Sequence, residues 1–118
     1  GTLDRAQQDA LTFAILDELE APVWSYAKHS FAMPEERRVP AVKDSLKWEF
    51  SRGAANLISR LGDGPHLMGE TFTIPDILAT HIGNWATKAG FPIDGAYAAY
   101  LDRMRTRQAY LRADARDA

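Results

Sequence analysis

The stretch Phe72-Thr73-Ile74-Pro75-Asp76-Ile77, running on through His81 to Trp85, decides the fold of this chain. It spells out the start of a helix. Thr73 stands where an N-cap belongs and Asp76 follows three residues later, so the Thr73 hydroxyl is placed to accept from the Asp76 amide while the Asp76 carboxylate reaches back to the Thr73 amide. Pro75 falls in the first turn, where a missing N–H costs nothing because that donor is unpaired anyway. Phe72 and Ile77 have the spacing of a hydrophobic staple. Beyond them Ile74, Ile77, Leu78, His81, Ile82 and Trp85 recur at helical spacing on one wide face. A helix so apolar and so firmly started is expected to be the central one, over residues 73–89, stopped by Gly90 and Pro92.

Working outward, every other long stretch also reads as helix. Leu3 to Glu20 consists almost entirely of helix formers. Its apolar arc, with Leu11-Thr12-Phe13-Ala14-Ile15-Leu16, is too broad for one buried face, which predicts burial on more than one side or a bordering partner. Pro22 predicts a kink or a fresh start before Val23-Trp24-Ser25-Tyr26-Ala27. From Pro40 to Leu61 the residues Val42, Leu46, Phe50, Gly53-Ala54, Leu57 and Leu61 form a single stripe at about 100° per residue. Trp48 points nearly the opposite way among Ala41, Asp44, Ser51, Ala55 and Ser59. It reads as the anchor of a contact surface, or else as a residue lying under the Met33–Arg38 loop. Asp94 to Met104 and Arg107 to Ala115 make two short closing helices. No stretch alternates as a strand does. The expected fold is therefore all-α, five or six helices bundled around the capped one.

Composition narrows the function classes. The chain's 118 residues suit one domain with one core. Its net charge of −2 argues against a dedicated nucleic-acid binder. It contains no cysteine, hence no disulfide framework and no thiolate nucleophile, as suits a reducing cytoplasm. No apolar run approaches the roughly 20 residues of a membrane span, and no signal-peptide pattern opens the chain.

The candidate chemistry is sparse. His81 is the lone candidate for acid–base work, but on an apolar helix face it reads first as a hydrogen-bonded core residue. His29 and His66 have no second ligand at metal spacing, so no metal site is expected. Asp17, Glu18 and Glu20 cluster where the first helix is expected to end, against its dipole, and a solvated face is the plainer reading of them. Arg103, Arg105, Arg107, Arg112 and Arg116 interleave with Asp102, Asp114 and Asp117 as a salt-bridged surface does.

The capped stretch, preceded by Leu67-Met68-Gly69 and followed by a Trp, resembles the capping-box motif of the glutathione transferase C-terminal domain, of the bacterial cytosolic type. The tail is similar too: Tyr97, Tyr100-Leu101 and Arg103, then Arg107-Gln108-Ala109-Tyr110 with Arg112-Ala113, where the family commonly has Pro in place of Gln108. The resemblance implies that residues 1–118 are one helical domain of a larger protein, whose thioredoxin-like N-terminal domain binds glutathione and activates its thiol. It implies a pocket for a small electrophilic substrate near Glu20 and Trp24, at the end of the first long helix, and near Trp85, at the far end of the capped one. Some bacterial members have His where Glu20 falls, and Trp24 reads equally as pocket lining or as packing at the kink. The family's C-terminal stretch closes that pocket. The resemblance further implies a detoxifying role in the cytoplasm and a homodimer with Trp48 near the interface. No catalytic residue is expected in this chain, and alone it should not turn over substrate. The same helical domain also serves as a protein-interaction module in translation factors and aminoacyl-tRNA synthetases, which is the alternative reading.

Overall fold

The computed structural model describes residues 1–93 and 95–117. Among them the chain forms five helical units and no strand. The first is one long rod: α1 (Leu3–Ile15), a π-helical turn (Leu16–Glu20), α2 (Ala21–Ala27) and a second π turn (Lys28–Ala32). It is followed by α3 (Lys43–Leu61), α4 (Ile74–Lys88), α5 (Gly95–Arg105) and α6 (Gln108–Asp117). Asp94, where the first closing helix is expected to begin, lies outside the described residues.

Pro22 neither ends nor restarts the first helix. Lacking an N–H, it cannot bond the Glu18 carbonyl, and the chain stays helical by widening one turn, so that the Ala21 amide reaches the Leu16 carbonyl. The expected helix end at Glu20 is thus absent, and with it the unfavourable dipole at Asp17, Glu18 and Glu20. Opposite the widened turn sits Gly53, buried on α3. A Cβ there would collide with the Glu18 carbonyl, whose carbon would lie only 2.9 Å away, so the missing side chain allows the two backbones to meet.

The rod buries Leu11, Ile15, Leu19 and Val23 against α3 and α4. The α3 stripe supplies Phe50, Leu57 and Leu61, with Val42 and Leu46 half-buried at its start. Phe91, just past α4, packs edge-on against both Tyr26 and Phe50, at centroid distances of 4.9 and 5.1 Å. The breadth of apolar surface on α1 is not consumed within this chain, because Leu3 and Phe13 remain exposed.

Both ends of α4 are fastened. At its start the Asp76 carboxylate accepts from the Thr73 amide at 2.9 Å, one arm of the expected capping box. The other arm is weaker. The Thr73 hydroxyl occupies the capping position over the Asp76 amide, but that amide bonds the Thr73 carbonyl at 3.0 Å, and the buried hydroxyl has no directed partner. At the far end the Phe91 amide reaches the Ala86 carbonyl at 2.9 Å and the Gly90 amide reaches Thr87 at 3.1 Å. With Gly90 at φ +82° this is a Schellman stop, and buried Phe91 supplies its apolar contact.

The wide apolar face of α4 is turned differently from the sequence expectation. The core side carries Asp76, Ala79, Thr80, Ile82, Gly83 and Ala86. Ile74 and Ile77 are 55% and 53% exposed, and His81 is exposed as well, so it is no core histidine. Small residues let α5 approach closely here, and at Gly83 a Cβ would stand 2.7 Å from a Leu101 methyl. Helical spacing marks out an apolar arc, but it does not say which edge of that arc a neighbour will cover.

Candidate functional site: a cleft along the central helix

The outer side of α4 forms one wall of an open cleft of about 990 Å³. Phe72, Ile77, His81 and Trp85 line it from the α4 side, and Ala109, Tyr110 and Ala113 from α6. Its floor includes Thr80, Asn84 and Met104. Most of the exposed lining area is apolar, set among polar and charged side chains that include His81, Lys88, Arg107, Asp114 and Asp117.

Of the pocket residues expected from the sequence, the structure joins two. The Trp24 and Trp85 rings meet at 6.1 Å between centroids, tilted by 42°. Trp24 is 44% exposed and Trp85 half-buried, so the pair bridges the rod and α4 at the surface rather than in the core. Glu20 lies four residues before Trp24 in the first π turn, half-buried, and of the three expected pocket residues only Trp85 lines the cleft. Of its neighbours, Glu18 accepts a bond from the Asn56 amide group at 3.1 Å.

Thr73 and Asp76 stand apart from this surface chemistry, as the inner fastening of the same helix. Asp76 is fully buried, and its carboxylate accepts from three donors: the Leu67 amide at 3.0 Å, the Thr73 amide at 2.9 Å and the Tyr100 hydroxyl at 2.7 Å. A buried carboxylate is tolerable when donors surround it in this way. Tyr97 adds a second tie, donating to the Ala79 carbonyl at 2.8 Å. Burial pushes the ionisation of both phenols well above the ordinary value of 10.0, and at Tyr100 the neighbouring Asp76 carboxylate pushes the same way.

The remaining histidines are held locally. His29 Nδ1 accepts from the Val39 amide at 2.9 Å. His66 meets the Phe72 ring edge-on at 5.7 Å, with its Nδ1 buried and unpartnered. Among the described residues no three His, Asp or Glu side chains gather as a metal site would require. Trp48 is 60% exposed, too open to lie beneath a loop, and the Arg52 guanidinium covers part of its ring at 5.0 Å.

A polar chain across the cleft has no counterpart in the sequence reading. Arg105 donates through Nε and Nη2 to the Asn84 carbonyl at 2.9 and 2.7 Å, and through Nη1 to Asp102 at 3.3 Å. Asn84 in turn donates to the Tyr110 hydroxyl at 3.1 Å. The salt-bridged surface expected of the last arginines therefore holds for Arg105 with Asp102. It does not hold for Arg107, whose guanidinium stacks 3.3 Å from the Phe72 centroid. Nor does it describe Arg103, which lies over the Tyr100 ring at 5.9 Å. Asn84, Arg105 and Tyr110 are spread along the chain, the outer two 26 positions apart, with no motif linking them, so only folding reveals the group.

Among the described residues no helix is long and apolar enough to cross a membrane. Compared with family models, with curated proteins and with solved structures, the chain matches none.

Proposed function

We propose that this chain is the helical half of a glutathione-transferase-like protein, forming the pocket for a small electrophile beside a thioredoxin-like domain that holds glutathione. The observation that carries this reading is the uncovered apolar side of the central helix. Ile74 and Ile77 stand more than half exposed on a helix whose two ends are firmly capped, and the cleft beside them ends at Trp85, against Trp24. A second domain over the Ile74 end would cover that surface and leave the Trp85 end open to substrate.

Glutathione supplies the nucleophilic sulfur in this reading, and its site belongs to the other domain. Glu20, the residue of this chain that stands where some relatives place a His, carries a carboxylate and would repel the tripeptide's own carboxylates rather than hold them. What the residues of this chain contribute is shape, exclusion of water and orientation of the electrophile against the incoming sulfur. The homodimer implied by the family resemblance would use the outer side of α3 around Trp48.

The test joins the chain to its natural upstream coding sequence and assays it with glutathione and 1-chloro-2,4-dinitrobenzene. Turnover by the longer protein, with a raised KM for the aryl halide on Trp85→Ala and only background from the 118-residue chain, supports the reading. No turnover in the longer protein contradicts it. That outcome would favour an interaction module of the kind that translation factors and synthetases carry, a reading that draws on exposed Phe13, Phe31 and Trp48.

A further inference from the structure

The start of α4 gathers unpaired positive charge beside apolar surface. The Arg107 guanidinium stands 3.3 Å from the Phe72 centroid, a distance that a planar group reaches only by lying parallel to the ring, with its N–H groups directed past the ring edge. Arg103 lies over the Tyr100 ring at 5.9 Å. Both rings belong to this end of the helix, because the Asp76 carboxylate holds the Tyr100 hydroxyl and the amide of Thr73, the residue after Phe72. No carboxylate of the described residues lies within ion-pairing distance of either guanidinium. Asp76 is fully buried and serves its three inward donors. Glu70, exposed in the loop before Phe72, pairs with neither arginine.

Ile77 lines the cleft together with Phe72 and Arg107, and Ile74 stands one turn before it. Two isoleucines more than half exposed on the outer side of a helix enclose nothing, so a small molecule gains little there, whereas a protein surface covers them by area. An arginine already stacked on an aromatic ring has little side-chain freedom left to lose, and arginine with aromatic and apolar neighbours is the composition of an interface hot spot. A surface laid over Arg107 strips water from its charge, which is costly unless a carboxylate meets it. The cleft is polarised in the same sense. Asp114 and Asp117 line it farther along α6, beyond the Tyr110 hydroxyl that meets Asn84. A surface bearing a carboxylate is therefore drawn to the Phe72 end and repelled from the other.

We infer that the surface covering Ile74 and Ile77 brings a carboxylate to Arg107: the second domain docks at the start of α4 through an apolar patch that carries an aspartate or glutamate. The identity of this occupant rests on the function proposed above, and the chemistry of the contact goes beyond it. Arg107 is then the anchor that fixes how the two domains sit on each other.

The experiment compares the 118-residue chain with the longer protein that carries its natural upstream sequence, by heteronuclear NMR at low salt. The Ile74 and Ile77 amide signals should shift between the two, and both domains of the longer protein should share one rotational correlation time. Arg107→Glu, Arg107→Gln and Ile77→Asp should each return those signals to their positions in the isolated chain and give the domains separate correlation times. Arg107→Lys keeps the charge while losing the stacking, and should retain docking. That variant separates pairing with a carboxylate from any disturbance of Phe72. Ile74 and Ile77 signals unmoved by the upstream sequence, docking that survives Arg107→Glu, or a lysine variant as uncoupled as the glutamine one would overturn the inference. So would a dimer of the 118-residue chain that Ile77→Asp dissociates in sedimentation, since a second copy would then be the occupant. Turnover is read separately: docked domains without thiol conjugation leave this contact in place, and conjugation by a protein whose docking ignores Arg107 removes it alone.

Discussion

Two polar clusters sit on α4 eight residues apart, and they differ in whether their valences are closed. At Asp76 every carboxylate contact is inward: Leu67, Thr73 and Tyr100 surround a group with no exposed surface. At Asn84 the chain from Arg105 ends on the half-buried Tyr110 hydroxyl, beside the cleft, with no protein acceptor for its proton among the described residues. The first ties α4 to α5 and to the loop before it; the second ties α4 to a helix that has no buried residue. A closed cluster fixes a fold because breaking it strands several partners in a dry interior. An open one contributes little to folding, because water can replace what is lost.

Substitutions at the two clusters should therefore separate widely. The largest effect is expected from Asp76→Ala, which leaves two amides and a phenol without their acceptor. Urea unfolding should show a loss of more than about 3 kcal/mol, and a near wild-type midpoint would remove the claim that this cluster holds the fold.

Tyr100→Phe takes away one of the three donors and should cost about 1–2 kcal/mol at neutral pH. The same residue sharpens the comparison at alkaline pH. Tyr97 and Tyr100 ionise near 10.0 when unfolded and resist ionisation when folded. Their contribution is therefore fully present below that value and is lost as pH rises above it, by up to about 1.4 kcal/mol per pH unit for each phenol. Unfolding midpoints should hold from pH 8 to about 10 and then fall steeply in the wild type, about half as steeply in Tyr100→Phe.

Tyr110→Phe, at the open cluster, should change stability by less than about 1 kcal/mol in the same assay, since the lost group faces the cleft and water can serve Asn84. A larger loss would place this cluster with the first one.

Thr73→Ala gives the smallest shift, within about 0.5 kcal/mol, below the usual value for a lost N-cap. The structure separates the two halves of the capping box that the sequence presents as equals. Asp76 makes its bond to the Thr73 amide, while the Thr73 hydroxyl has no directed partner. Denaturation of this variant beside Asp76→Ala measures that inequality directly.

Local signals made the helices legible. The cap at Thr73-Pro75-Asp76, the Gly90 stop and the Val42–Leu61 stripe all act within a few turns, and α3 and α4 lie where those residues put them. The outward direction of Trp48 followed from the same angular reading. Orientation was less legible. Ile74, Ile77 and His81 share the apolar arc of α4 with Ile82, and the approach of α1 and α5 to the side carrying Ala79, Gly83 and Ala86 decides which edge is buried. The run of small residues was the available signal, and hydropathy obscures it. At Pro22 the fresh start is absent because a proline in a helix can be absorbed by one wider turn, for which Gly53 of another helix leaves room. The Asn84–Arg105–Tyr110 group was illegible in the sequence for a simpler reason. Its members belong to three helices, and no spacing rule links residues that meet only by packing.

Native-state hydrogen exchange compares the two regions in one experiment. Amides in the middle of α4, from Ala79 to Gly83, should exchange only through global unfolding, because the Asp76 and Tyr97 ties must break first. Amides of α6 from Leu111 to Ala115 should open locally at no more than about 2 kcal/mol, because that helix has no buried residue. Equal protection of α4 and α6 would contradict the division between a closed cluster that holds the fold and an open one that does not.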